Sequence, residues 1–348
     1  MPGDQRGIKV PEGSKFGAVT LYRSGSPEMA VAIAEGRLVV FGSPPISLDA
    51  QWQSWLGTLE TEKYLRGGIT SLVTQQAIHP SLLDDQNHEL ARLAQELMLG
   101  MILQGAPSSE GGLVLSGVQR SDALEIRQIQ RLRPLRLMQG VQASRLEAAD
   151  FSEALQIAER LRSDLRSSSD SHRRVRVGLN MLFDALQDAF IERRLHTFVQ
   201  ALDAVLALEK GKARRQFVHR GQLLIGGSED NANLLGEIYD FRSSDEHLTR
   251  VEDLLLPYPV AAHDSVGCLR AFQAEVLTLE TYRRVFGRPE LFSALQDSSV
   301  AEFWRLSIRR QRSLWGAPIE LSRLVSERFL DVASGGGRPL NFYPPRGN

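Results

Sequence analysis

Apolar residues recur at helical spacing through most of the second half of the chain. The clearest case is the stretch 234–255, which predicts one long amphipathic helix. Its apolar face repeats every seventh residue, at Leu234, Phe241, Leu248 and Leu255. Two prolines follow at 257 and 259, and because proline cannot donate a helix hydrogen bond, we expect this helix to end shortly after Leu256.

The same spacing predicts further helices on both sides of this stretch. They cover 145–166, 179–190, 198–206, 214–225, 261–286, 300–314 and 320–332. A polar, serine-rich segment at 167–171 interrupts the series. We expect an all-helical domain over 144–333, with 167–171 as the alternative start, and a flexible, glycine- and proline-rich tail over 334–348.

The first half of the chain has a different pattern. Short runs rich in β-branched and aromatic residues, bounded by glycine or proline, predict strands at 15–22, 37–41, 69–73, 112–118 and 123–137. Helical spacing appears only at 47–65 and 81–103. The expected fold class is therefore α+β: a mixed α/β domain of unknown role over 1–143, followed by the helical domain.

Composition narrows the environment and the chemistry. Hydrophobic residues make up 42% of the 348 residues, which is enough to bury substantial cores. The single cysteine, Cys268, excludes an intrachain disulfide and a cysteine-based zinc site, and it fits a reducing cytosol. Residues 1–11 lack the apolar core of a signal peptide, and no apolar run is long enough to cross a bilayer. We expect a cytoplasmic protein with no membrane partner.

Charge is unevenly distributed, although the formal net charge is only −1. Between 160 and 220 there are thirteen Lys or Arg residues against seven Asp or Glu, whereas 229–253 holds eight acids against Arg242 and Arg250. The first region suits phosphate binding and the second opposes it. The excess of 36 Arg over 5 Lys suits phosphate recognition too, but a GC-rich genome gives the same bias.

Candidate sites outside the long helix are weak. His79 and His88 lie near several acids, but their spacing matches no helical pair of metal ligands, and the glycine-rich segments lack a Gly-Lys-Ser/Thr sequence. Cys268 and His263 lack the strand-to-helix turn that usually presents a nucleophile. Trp52 and Trp55 share a helix face, where core packing is the expected role. We therefore expect neither a cofactor nor a metal.

One polar pair stands inside the long helix, at Arg242 and His247. Two other Arg–His pairs have comparable spacing, Arg166/His172 and Arg214/His219, so spacing alone is not specific. The run Ile-Tyr-Asp-Phe-Arg-Ser-x-x-x-His over 238–247 sets the third pair apart, because it resembles the signature of the HEPN superfamily, small helical domains of RNA-cleaving toxins and defence proteins. The resemblance extends over about 145–285 and is close only over 201–250.

The resemblance implies a metal-independent endoribonuclease acting as a toxin or anti-phage effector. In that role Arg242 neutralises charge on the phosphate, His247 acts as general acid or base, and Ser243 orients either of them or the phosphate. The implied partners are RNA, with tRNA as a candidate, a second copy of the chain, and an antitoxin or defence-complex protein. The alternative is a non-catalytic RNA- or protein-binding module, in which Asp245 and Glu246 simply pair with neighbouring arginines.

Helix geometry adds a constraint to the catalytic hypothesis. Five residues at about 100° each place Arg242 and His247 roughly 140° apart around a straight helix. One helix cannot direct both side chains at a single phosphate. We therefore expect either a local distortion at Ser243 and Ser244 or a site formed by two motifs at a homodimer interface, as the resemblance implies.

Overall fold

The α+β class is confirmed, and the chain divides into two compact units. The first unit contains Met1–Leu135 with Ala143–Ser163, and the second contains Arg136–Gln142 with Asp164–Asn348. The computed structural model describes residues 13–22, 31–33, 38–41, 46–66, 68–76, 85–104, 111–120, 123–133, 135, 148–166, 171–247, 251–324 and 343–344. The predicted tail lies outside these residues apart from Tyr343 and Pro344.

A six-stranded antiparallel sheet organises the first unit. Its strands are β1 (Ser14–Tyr22), β2 (Val31–Ile33), β3 (Leu38–Phe41), β4 (Gly68–Gln76), β5 (Gly112–Arg120) and β6 (Ala123–Leu132), in the order β2-β3-β4-β1-β5-β6. All five predicted strands are present, the last ending at Leu132. Strand β2 was not predicted, because three residues are too few to show an alternating pattern.

Four helices cover the sheet. They are α1 (Ala50–Leu56), α2 (Thr58–Arg66), α3 (Asp85–Leu103) and α4 (Ala148–Arg166). The single helix predicted over 47–65 is divided at Gly57, whose φ of 80° lies in the left-handed region that glycine adopts readily.

Alternation along the central strand β1 separates two cores. Phe16 and Ala18 pack on the face that α1 and α2 cover, while Val19 and Leu21 pack on the face that α3 and α4 cover. Position 17 of β1 requires glycine, because a Cβ atom on Gly17 would collide with the backbone carbonyl of Leu90 in α3. This close approach lets α3 lie directly on the sheet.

Helix α4 belongs to the first unit, which differs from the boundary predicted at 143/144. Its residues Phe151, Ala154, Leu155 and Ala158 share a core with β1 and α3. The division falls after Ser163, just before the alternative boundary at 167–171. Helical periodicity showed that α4 has a buried face, but it does not specify which element covers that face.

Helices make up the described part of the second unit. They are α5 (Arg173–Gln187), α6 (Ile191–Leu206), α7 (Ala213–Ile225), α8 (Glu229–His247), α9 (Val251–Leu255), a 3₁₀ turn (Val260–Ala262), α10 (His263–Gly287), α11 (Pro289–Ala294), α12 (Val300–Phe303), α13 (Ile308–Trp315) and α14 (Leu321–Leu324). The helix predicted over 234–255 is found as α8 and α9, and 248–250 lie outside the described residues. The helix predicted over 300–314 is found as α12 and α13, separated by a turn.

Helices α6 and α10 form the centre of this unit. Helix α6 packs against α5, α8 and α10, and its residues Phe198 and Leu202 are fully buried. The hydroxyl of Tyr282 in α10 donates a hydrogen bond of 2.8 Å to the carbonyl of Ala201. Among the helices that the structure describes, none is long and apolar enough to span a bilayer.

Candidate active site around Arg242

Helix α8 carries the Arg–His motif and is anchored by its apolar face. Leu234, Leu235 and Ile238 are fully buried, and Phe241 is 7% exposed. Leu234 and Phe241 are positions of the predicted seven-residue repeat, and Leu235 and Ile238 are buried with them. The motif therefore stands on a helix whose rotation about its own axis is fixed by packing.

A polar network also fixes α8 to α10, one and a half turns before Arg242. The Glu237 carboxylate accepts hydrogen bonds from Arg270 Nε at 2.8 Å and from the Tyr258 hydroxyl at 2.7 Å. Arg270 is fully buried, and its Nη1 also donates to Gln273 Oε1 at 2.8 Å. Burial raises the pKa of the Tyr258 hydroxyl further above neutral pH, so this group keeps its proton as the donor to Glu237.

The Arg242 side chain turns towards α6 and is only 15% exposed. Its Nη1 donates to the Tyr239 hydroxyl at 3.2 Å, and the guanidinium carbon lies 5.5 Å from the centroid of the Tyr239 ring. Its Nη2 lies 3.7 Å from Asp203 Oδ2. The cation is thus held against an aromatic ring and partly neutralised by a carboxylate from another helix.

A second imidazole lies beside the motif, at His196 in α6. Its Nδ1 is 3.4 Å from the backbone carbonyl oxygen of Arg242. Sequence analysis missed both His196 and Asp203. A signal for them exists, since they are seven residues apart and therefore share one face of α6. The cluster of Arg242, Tyr239, Asp203 and His196 combines a cation, a phenol, a carboxylate and an imidazole, which are groups able to bind phosphate and transfer protons.

The other two predicted site residues, Ser243 and His247, belong to α8, and His247 is its last residue. Their side chains lie outside the described part of the structure. The predicted angle of about 140° between Arg242 and His247 therefore rests on helix geometry.

Asp240, which lies two residues before Arg242 in the motif, has a partner on α7. Arg214 binds its carboxylate through two hydrogen bonds, of 2.6 Å from Nε and 2.7 Å from Nη2. The Asp240 carboxylate raises the pKa of the Arg214 guanidinium. This arginine, which forms one of the two other Arg–His pairs, therefore links α7 to α8, while His219 is exposed.

The remaining Arg–His pair is Arg166/His172, and its histidine has a packing role. His172 is buried, and its ring stacks on Phe292 with the centroids 3.8 Å apart. Its Nε2 lies 3.0 Å from the Phe292 carbonyl oxygen. His172 is therefore part of the helical core rather than of a serine-rich surface loop. The side chain of Arg166 lies outside the described part.

Other sequence candidates gain little from the structure. Trp55 is 54% exposed instead of packing in the core, and Trp52 contacts it edge-on with the ring centroids 6.0 Å apart. Cys268 is half-buried. Within the described ranges, no group of three or more His, Cys, Asp or Glu residues is arranged to hold a metal ion.

Comparison of the chain with known proteins does not assign it to a family. No protein-family model matches the chain, and no curated protein or solved structure is significantly similar to it. The class that the structure defines is a two-unit α+β protein with a half-buried Arg–Asp–His cluster in its helical unit.

Proposed function

We propose that the protein is a metal-independent endoribonuclease of the HEPN type, acting as an RNA-cleaving toxin or anti-phage effector in the cytoplasm. The single observation that carries the proposal is the position of Arg242. The Arg242 guanidinium is held next to Asp203 and Tyr239, and the His196 ring lies beside the backbone carbonyl of Arg242. Arg242 belongs to α8, the helix that ends at His247. A preorganised cation beside proton-transfer groups suits cleavage through the 2′-hydroxyl of RNA.

The roles follow from the chemistry of each side chain. Arg242 neutralises the charge that develops on the phosphate, and Asp203 is its counter-ion until substrate binds. His247 takes the proton of the 2′-hydroxyl or protonates the leaving 5′-oxygen, and Ser243 orients the phosphate. A second copy of the chain completes the site, because one straight helix directs Arg242 and His247 about 140° apart.

A non-catalytic RNA- or protein-binding module is the second candidate. The observation that favours it is the same ion pair, since Asp203 and Tyr239 give Arg242 a structural role that needs no substrate. In that case α8 is a dimer or partner surface.

The test is cleavage of labelled single-stranded RNA and tRNA in excess chelator. Wild type is compared with Arg242→Lys, Arg242→Ala, His247→Ala and His196→Ala after each variant is shown to be folded. The matched controls are Arg92→Ala and His88→Ala, which change exposed residues of α3 in the first unit. Removal of a general acid or base lowers the cleavage rate roughly 100- to 10,000-fold.

We expect cleavage by wild type and both controls, with products that end in a 2′,3′-cyclic phosphate. His247→Ala abolishes it, and Arg242→Lys retains more activity than Arg242→Ala because it keeps the charge. Loss in His196→Ala alone, with His247→Ala fully active, would transfer the acid–base role to His196. If wild type cuts no RNA even with cell extract to supply an activator, the non-catalytic module replaces this proposal.

A further inference from the structure

Helix α7 is bordered by two surface depressions. One has a volume of about 590 Å³ and the other about 440 Å³, and both lie in the second unit. Arg215 and His219 line both of them. The residues that line them include four cationic side chains, and among these described lining residues there is no Asp or Glu. Arg215 and His219 therefore connect the two depressions.

The second depression lies between α7 and the α12–α13 segment, and we call it the α7–α13 groove. Its far wall carries Trp304, Ile308 and Gln311. Ile308 is 53% exposed, and Trp304 is half-buried. The next residue of α13, Arg309, is exposed as well. The groove therefore combines an aromatic ring and an exposed aliphatic side chain with the exposed guanidinium of Arg215, and Arg309 is the neighbour of Ile308 on α13.

Arg215, which lines the groove, and Arg309, which follows Ile308 on α13, differ in pairing from the other cations around α7. Lys212 and Arg220 share Glu209, at 3.1 and 3.7 Å, and Arg214 binds Asp240. In the part of the chain that the structure describes, no carboxylate lies within ion-pair distance of Arg215 or Arg309. Helices α7 and α13 also have no acid in their first turns, so their dipoles add to the positive potential.

Arg220 lines the groove and contacts both the end of α6 and Trp304. Its Nη1 donates to the carbonyls of Leu206 and Ala207, at 2.7 and 2.6 Å, where α6 ends. Its guanidinium carbon lies 5.2 Å from the Trp304 ring centroid. Burial lowers the pKa of Arg220, Glu209 opposes this effect, and the Arg174 guanidinium adds to it. Trp304 therefore rests on a fixed cation.

We propose that the α7–α13 groove binds a single strand of RNA. Arg215 and Arg309 contact successive phosphates, and Trp304 with Ile308 provides an apolar surface on which a base stacks. A single strand fits because its unpaired bases can reach an aromatic ring between cationic walls, whereas the bases of a duplex are stacked inside. The inference goes beyond the proposed cleavage, since binding in the groove requires neither Arg242 nor His247.

The experiment measures binding of a fluorescent 2′-O-methyl RNA of about 12 nucleotides, a length that spans one single-strand site. This probe has no 2′-hydroxyl to act as a nucleophile, so the result does not depend on cleavage. Anisotropy is recorded over a series of salt concentrations for wild type and for Arg215→Gln/Arg309→Gln. The control is Arg66→Gln/Arg92→Gln, which removes the same charge from exposed positions of the first unit.

We expect the groove variant to bind roughly tenfold more weakly and its salt dependence to fall by about 1.4 in log–log slope, because each lost phosphate contact removes about 0.7. The control binds like wild type. Trp304→Ala also weakens binding roughly tenfold, but with an unchanged slope, because stacking releases no counter-ions.

Equal losses in the groove variant and the control would overturn the inference, because they would show a general effect of charge. Absence of RNA binding by wild type would overturn it as well. If wild type then binds polyglutamate, the groove is a surface for an acidic protein. Binding in the groove without any cleavage of ordinary RNA would overturn the proposed function and leave this inference standing.

Discussion

At the scale of single residues, the ion pair between Arg242 and Asp203 has the most consequence for the candidate site. The sequence places Arg242 in an acidic region, and the non-catalytic alternative pairs it with Asp245 or Glu246. The structure shows that a carboxylate from α6, Asp203, lies beside it. This carboxylate is 24% exposed, so the pair is partly shielded from solvent.

The first prediction concerns this ion pair. Asp203→Asn lowers the free energy of unfolding by roughly 1–2 kcal/mol, because it leaves a half-buried cation without its counter-charge. In a double-mutant cycle with Arg242→Gln, we expect a coupling energy of about 1 kcal/mol from urea denaturation. Additive effects of the two substitutions would show that the carboxylate does not stabilise Arg242.

The second prediction concerns the half-buried thiol of Cys268. Burial raises its pKa, and the carboxylates of Glu192 and Asp264 add to the effect. Because the thiolate is the nucleophile, alkylation by iodoacetamide at pH 8 is expected to be at least about tenfold slower in native protein than in urea.

A raised pKa also fixes the sign of the pH dependence at Cys268. The folded state favours the protonated thiol, so its contribution to stability is present at neutral pH and is lost as the pH rises through the folded pKa. Relative to Cys268→Ala, wild type therefore loses stability above about pH 9, measured by urea denaturation. A difference that stays constant with pH would contradict this assignment.

At the scale of elements, the helices of the second unit differ in how closely they approach one another. Gly178 in α5 allows such an approach, since a Cβ atom there would lie 2.5 Å from the Ala204 Cβ and would also collide with the Tyr282 hydroxyl. Around Gly267 in α10, no atom of the described residues outside the helix's own backbone would lie within 4 Å of an added Cβ atom. Both glycines are helical, so they form a matched pair.

The third prediction uses this pair. Gly178→Ala destabilises the protein by roughly 2–3 kcal/mol, because α5 must move away from α6 and α10. Gly267→Ala stabilises it by roughly 0.5–1 kcal/mol, since alanine favours the helix and meets no neighbour. Urea denaturation of both variants measures the two effects, and changes of equal sign would contradict the packing described here.

Secondary structure was largely predictable at this scale. All the predicted strands are found, and every predicted helix has a counterpart where the structure describes it, although α5 and α6 begin six and seven residues before their predicted starts. The errors lie where local signals are short or ambiguous. Gly57 was not recognised as a break between α1 and α2, and α11 (Pro289–Ala294) is too short to show helical periodicity.

At the scale of the whole molecule, the two units have separate cores. Phe151 in α4 is 4% exposed in the core of the first unit, together with Val19 and Leu90. Phe272 in α10 is fully buried in the second unit. Each residue therefore reports on the stability of its own unit.

The fourth prediction tests the assignment of α4 to the first unit. Phe151→Ala removes about 3–4 kcal/mol from that unit by opening a cavity. We expect faster amide hydrogen exchange in β1 and α3 and unchanged exchange in α6 and α10. For Phe272→Ala we expect faster amide exchange in α6 and α10 and unchanged exchange in β1 and α3. If Phe151→Ala speeds amide exchange only in the second unit, α4 belongs to the helical domain, as the sequence predicts.

The sequence by itself determined the α+β class, most strands and helices, and the location of Arg242 on a core-facing helix, because periodicity and turn residues are local properties. Only the tertiary structure decided which helix covers the sheet beside α3, which carboxylate pairs with Arg242, and that His196 lies at the motif. These contacts join residues far apart in the chain. Periodicity specifies that a face is buried, but the partner of that face depends on how all the faces pack at once.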